Sequence, residues 1–204
     1  MKKNMLITRK HIPNLITASR ILGMLLLFLF MPFKTNVAQC IIVGLFVLIC
    51  LTDALDGWVA RRFNSVSELG QFLDPLADKI VILVLLPLIQ MGVISALPGV
   101  IILMREFAVM GIRIVAVTSG KGVVPASRMA KLKTIGTLVL CTVLLARVPV
   151  VQRDGFALID SVALFCDWAK AVPEFVIQIS IWAIVGITVV SFIDYMRQYV
   201  VNNR

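Results

Sequence analysis

The chain has 204 residues and is 60% hydrophobic, with a mean hydropathy of +0.99. That is well above the roughly 45–50% apolar content of soluble domains, so a single water-soluble core is excluded and a membrane protein is expected. A formal charge of +9 comes with no nucleic-acid-binding motif, and the single histidine excludes a His-based metal site or triad.

Residues 1–13 mix Lys, Arg, His11 and apolar residues, which predicts a short interfacial segment on the inner leaflet. Six apolar runs follow: Leu15–Phe33, Val37–Val59, Leu76–Ile94, Leu97–Val117, Ile135–Val151 and Phe175–Tyr195. Runs of about 20 residues suit bilayer spans, and the fold class expected is an all-α membrane protein with six transmembrane helices. Between spans five and six, Gln152–Glu174 predicts an outer amphipathic helix. Cys40, Cys50, Cys141 and Cys166 have no metal-ligand or redox spacing, so they are expected to be packing residues. With the N-terminus inside, 16 of the 20 Lys and Arg fall on inner segments; Lys34, Arg147, Arg153 and Lys170 fall outside. This bias places both termini at the cytoplasm, with the charge explained by topology and anionic lipid.

The chemistry concentrates between spans two and three, in DALDGWVARRFNSVSELGQFLDPLAD. Asp53 and Asp56 are three apart, and Asp74 and Asp78 four apart. Either spacing puts two side chains on one helix face. Carboxylates at membrane depth cost about 2.5–3.5 kcal/mol or more each, and four ionised together repel one another. Cations or a water-filled cavity must compensate them. Hard divalent ions take such oxygen ligands, and two ions about 3.5–4 Å apart can clamp a phosphoryl displacement. Gly57 allows close approach, and Arg61 falls near the face of Asp53, within reach of a bound phosphate.

A second patch is cationic: Arg105, Arg113, Ser127, Arg128, Lys131 and Lys133. Topology alone accounts for Arg128, Lys131 and Lys133. Arg105 lies within an apolar span, where an arginine prefers an anionic partner, and Arg113, eight residues on, is expected to share its helix face.

The acidic run fills every fixed position of D-x2-D-G-x2-A-R-x8-G-x3-D-x3-D, with Asp53, Asp56, Gly57, Ala60, Arg61, Gly70, Asp74 and Asp78. In this it resembles the CDP-alcohol phosphotransferase family. IPNLITASRIL, FLDPLADK, MREF at 104–107 and ASRMAKLKT at 126–134 extend the resemblance from about Ile12 to Thr134. The resemblance implies a single membrane domain over 1–204, with a cytoplasm-facing polar cavity in the cell membrane. It implies Mg2+, with Mn2+ as the alternative, two ions per site, held by Asp53, Asp56, Asp74 and Asp78. Asp78 would also be the catalytic base. Asn14, Thr17, Gly57, Arg61 and Ser67 would contact a CDP-diacylglycerol donor.

If the acceptor is sn-glycerol 3-phosphate, the cationic patch would hold its phosphate. Inositol phosphate, serine and phosphatidylglycerol stay open as acceptors. A homodimer is compatible with the resemblance, and a nucleic-acid partner is not expected. From a different class, a cation transporter using intramembrane acids is the alternative.

Overall fold

A computed structural model of the chain describes residues 18–63, 79–118, 128–150 and 160–202. These residues form helices and their connections, with no strand among them. The helices are α1 (Ala18–Phe30), α2 (Asn36–Phe63), α3 (Leu85–Gln90), α4 (Ala96–Thr118), α5 (Arg128–Ala146), α6 (Asp160–Ala171) and α7 (Glu174–Asn202). The chain divides into two compact units. One comprises Met1–Val84 and Pro149–Phe165, the other Leu85–Val148 and Cys166–Arg204. The expected interfacial segment at 1–13 lies outside the described residues, as does 152–159 of the expected outer helix.

In the first unit, α1 buries Arg20, Met24 and Leu27, spaced four and three apart, and Met31 just past its end is buried as well. That is the repeat of one helix face. The other face is no less apolar: Leu22, Leu25 and Leu29 are all exposed. Thr35 caps α2, its Oγ1 accepting the Ala38 N–H at 3.1 Å and its carbonyl the Gln39 N–H at 3.0 Å. Ala38, Ile42, Phe46 and Ile49 then form the buried face of α2. Gly23 lets α1 approach that face. A Cβ there would lie 3.1 Å from both Cδ1 and Cγ1 of Ile49.

The second unit opens on α3, preceded by a 3-10 turn at Val81–Val84. Pro87 explains the change of helix type, because it offers no N–H to the preceding turn and its ring crowds that turn. Span three is therefore helical from residue 79 but not a regular α-helix. Gly92, at φ 71°, ends α3. Its N–H bonds the Ile89 carbonyl at 3.0 Å, and the Val93 N–H bonds that of Leu88 at 3.0 Å.

The inward face of α7 is Ile181, Val185, Thr188, Ser191 and Tyr195, apolar in its first half and polar in its second. Both α4 and α5 pack on α7. Arg105 meets Ser191 and Val109 meets Tyr195, so α4 and α7 run parallel. Gly136 of α5 lies against Ile184, 3.8 Å from where its Cβ would be, and α5 runs antiparallel to both.

Arg147 joins three helix ends. It follows α5, and its Nη1 donates to the carbonyls of Ala169 (2.8 Å) and Val172 (2.7 Å) at the end of α6. Its Nη2 donates to Glu174 Oε2 at 2.7 Å, in the first turn of α7. A guanidinium at a C-terminus and a carboxylate at an N-terminus both suit the helix dipoles. Cys40, Cys141 and Cys166 are buried, as packing residues should be.

By length and composition, Glu174–Val201 is the one described helix able to cross a membrane unaided. Ala18–Phe30, Asn36–Thr52, Val81–Gln90 and Leu132–Ala146 are shorter apolar helices. Two others have the length: at 28 residues α2 is about 42 Å long, and at 23 residues α4 is about 35 Å. In α2 the first charged residue is Asp53. The apolar run of α4 is interrupted by Arg105, Glu106 and Arg113. These charges are among those that suggest chemistry. Large apolar side chains cover the outward faces, among them Met104, Leu132, Ile135, Ile179, Trp182 and Val190. Such a surface belongs against lipid, and the protein is membrane-associated.

Candidate active site

The acidic half-motif is built on α2. Thr52 sends its hydroxyl to the Ile49 carbonyl at 2.8 Å, which satisfies a polar side chain without breaking the helix. The helix then continues through Asp53, Asp56, Gly57, Ala60 and Arg61 to Phe63. Asp53 and Asp56 are thus about 60° apart around the axis, and Gly57 about 40° from Asp53 on the other side. Arg61 is about 80° round from Asp53 and about 12 Å further along the axis. Asp74, Asp78 and Ser67 lie outside the described residues, and so do Asn14 and Thr17. Among the described residues no three His, Cys, Asp or Glu come together.

The cationic residues belong to the second unit. Arg128 and Lys131 are in the first turn of α5, and Ser127 lies outside the described residues. Lys133 is 3% exposed and forms an ion pair with Glu106 of α4. Arg105 joins the same carboxylate, with Nη1 3.2 Å from Glu106 Oε1. Its Nη2 donates to the Ser191 hydroxyl of α7 at 2.9 Å. Its Nε is buried with no partner among the described residues. Arg113 is exposed and makes no hydrogen bond or ion pair among them.

The structure therefore brings Arg105 and Lys133 together through Glu106, while Arg113 on the same helix is exposed. Eight residues on one helix amount to about 80°, enough to carry Arg113 from the packed side to the surface. Sequence reasoning gave Glu106 and Ser191 no role. Glu106 could have been found by the argument that singled out the aspartates, since an acid inside an apolar span needs a stated partner. Ser191 carries no such signal, because a serine in a long apolar helix ordinarily bonds its own backbone.

Two acids three residues apart on α2 and a buried cluster of Arg105, Glu106 and Lys133 stand out in an apolar helical fold. The chain belongs to the CDP-alcohol phosphatidyltransferase family, whose model matches residues 10–190. Among its relatives is the CDP-diacylglycerol--glycerol-3-phosphate 3-phosphatidyltransferase of Rickettsia typhi, 36% identical over 79% of this chain and 89% of the relative. Proteins of the same name from Bacillus subtilis and Cereibacter sphaeroides are 34% and 31% identical. They match 66% and 72% of this chain, and 76% and 68% of their own lengths.

Proposed function

We propose that this enzyme transfers the phosphatidyl group of CDP-diacylglycerol to sn-glycerol 3-phosphate, giving phosphatidylglycerophosphate and CMP. The observation that carries the reading is the complete eight-residue signature, its first five positions on one unbroken helix, in a chain matched over most of its length by relatives bearing that name.

The donor set on α2 fits a hard divalent ion, because the helix holds Asp53 and Asp56 on one side and carboxylate oxygens suit Mg2+ or Mn2+. Asp53, Asp56, Asp74 and Asp78 would hold two such ions. When bound, they supply charge stabilisation to the pyrophosphate and to the leaving CMP. Asn14, Thr17, Gly57, Arg61 and Ser67 bind the CDP part, with Gly57 giving it room. Asp78 takes the proton of the acceptor hydroxyl, a role open to a carboxylate. The hydroxyl oxygen forms a bond to the lipid-side phosphorus. The bond from that phosphorus to the bridging oxygen breaks, and CMP leaves with the electron pair. Arg61 offsets the charge that develops there. The acceptor phosphate is bound by the cationic patch, above all by Arg105, which holds unused donors in a buried position.

The membrane arrangement is six spans, with both termini and the active site at the cytoplasm of the cell membrane, and homodimer formation is compatible with it. The parallel course of α4 and α7, with α5 opposed, supports spans four, five and six in that order. The deciding experiment is CMP release by the purified protein in nanodiscs, with CDP-diacylglycerol and a panel of acceptors. Release with sn-glycerol 3-phosphate, and not with serine, inositol phosphate or phosphatidylglycerol, is the expected result. Release with another acceptor alone would reassign the acceptor. Metal flux without CMP release would replace the enzyme with a transporter.

A further inference from the structure

Glu106 is the only buried carboxylate among the described residues, and nothing in the reaction above uses it. Its position is costly, since it lies ten residues into α4, in the apolar second unit. An acid there is retained only with good partners. Among the described residues Lys133 from α5 and Arg105 beside it serve as partners. Ser191 then fixes the second terminal nitrogen of Arg105 from α7. One guanidinium is gripped at both tips by groups on two different helices.

The donor inventory shows what that grip leaves. A guanidinium has five N–H groups. Glu106 and Ser191 take one each, from Nη1 and Nη2. The Nε–H and one N–H on each tip remain, and Nε is buried without a partner among the described residues. A buried unused donor on a charged group is costly unless a ligand takes it. The clamp thus presents a pre-oriented, partly unsatisfied guanidinium, the geometry that recognises a phosphate. Glu106 also offsets one of the two local cations, so the empty site is not a pair of bare positive charges.

We infer that Glu106 and Ser191 are positioning residues for the acceptor: they fix the Arg105 guanidinium so that its free N–H groups meet the phosphate of sn-glycerol 3-phosphate. The inference rests on the acceptor reading above, and the test separates the two.

Full-length protein in nanodiscs is assayed for CMP release while each substrate is varied in turn. Glu106→Gln keeps the shape and removes the charge. It is expected to raise the acceptor KM roughly tenfold or more, the range for losing a charged hydrogen bond or misplacing a binding group, and to leave the donor KM nearly unchanged. Glu106→Asp should recover part of the loss. Ser191→Ala should raise the acceptor KM roughly 2–10-fold, less than direct loss of a charge-assisted bond to the ligand, because Glu106 still holds Arg105. Leu144→Ala, a cavity at a fully buried α5 position, should lower thermal stability without separating the two KM values. Arg105→Gln reports on the acceptor reading itself. If it raises the acceptor KM while Glu106→Gln and Ser191→Ala do not, the positioning role is overturned and the acceptor reading stands. If Arg105→Gln leaves the acceptor KM alone, both fall. Should Glu106→Gln fail to fold, Ser191→Ala, which removes a single oxygen, decides alone.

Discussion

Arg147 offers the sharpest test of how this fold is held, because its three contacts differ in kind. Two go to backbone carbonyls at 2.8 and 2.7 Å, and one to Glu174 at 2.7 Å. The Arg147 side chain is 16% exposed and that of Glu174 63%. A charge-assisted bond to a carbonyl contributes about 1.5–3 kcal/mol. The lower figure applies here, because helix-end carbonyls keep some access to water. Two such bonds give about 3 kcal/mol. The ion pair adds at most about 1 kcal/mol, since its carboxylate is mostly solvated. Arg147→Met should therefore cost about 3 kcal/mol, and Glu174→Gln about 0.5 kcal/mol. For a chain of this size about 3 kcal/mol corresponds to roughly 6–12 °C in the midpoint, and about 0.5 kcal/mol to roughly 1–2 °C. Thermal unfolding in one detergent, followed by tryptophan fluorescence from Trp168 and its neighbours, measures both. Equal shifts in the two variants would refute the division, and would mean that the exposed pair rather than the carbonyl clamp joins α5, α6 and α7.

The signature aspartates and the arginines give two further expectations. Asp53→Ala, Asp56→Ala and Asp74→Ala should each abolish CMP release while the protein still inserts and purifies, and Asp78→Asn should bind a CDP-lipid while turnover falls by roughly 10²–10⁴-fold or more. Near-normal turnover in any one of them would break the assignment of that residue. Arg105→Gln should raise the acceptor KM by about 10–150-fold, whereas Arg113→Gln, at an exposed position, should change it by no more than about fivefold. Saturation curves for sn-glycerol 3-phosphate check the order, and a larger effect at Arg113 would move the phosphate to the helix surface.

What the sequence made legible follows from what an apolar solvent makes expensive. The apolar runs located α1, α2, α4, α5 and α7 because a helix in lipid satisfies its own backbone, so hydropathy alone nearly defines it. The acidic signature was legible for the converse reason, since carboxylates inside such runs need a purpose. The change to 3-10 geometry before Pro87 was not read, because hydropathy is blind to helix type. Arg113 differs from Arg105 in exposure because a spacing of eight is about 80° round the helix, enough to separate a half-buried side chain from an exposed one. The partnership of Glu106 with Lys133 joins residues 27 apart in the chain, and no local pattern encodes it. Lys133 had a sufficient local explanation in topology, which hid that it is buried.

That burial raises a question stability can answer: whether the charges around Glu106 serve the fold or the ligand. Removing one partner of a buried ion pair typically costs about 3–5 kcal/mol, because the other is stranded. Lys133→Met should fall at or below the lower end, about 2–3 kcal/mol, since Arg105 still contacts the carboxylate at 3.2 Å. Replacing both partners with apolar residues of similar size is often neutral or stabilising. Glu106→Leu combined with Lys133→Met should therefore recover most of the stability lost by Lys133→Met alone. It should not recover acceptor affinity, because Arg105 loses the carboxylate that fixes its Nη1. Thermal unfolding and the acceptor KM, measured on wild type, Lys133→Met and the double variant, separate the two roles. If stability and acceptor affinity return together, the pair serves packing alone. If stability returns and affinity does not, the chain tolerates an expensive acid inside an apolar helix because that acid aims the guanidinium at a phosphate.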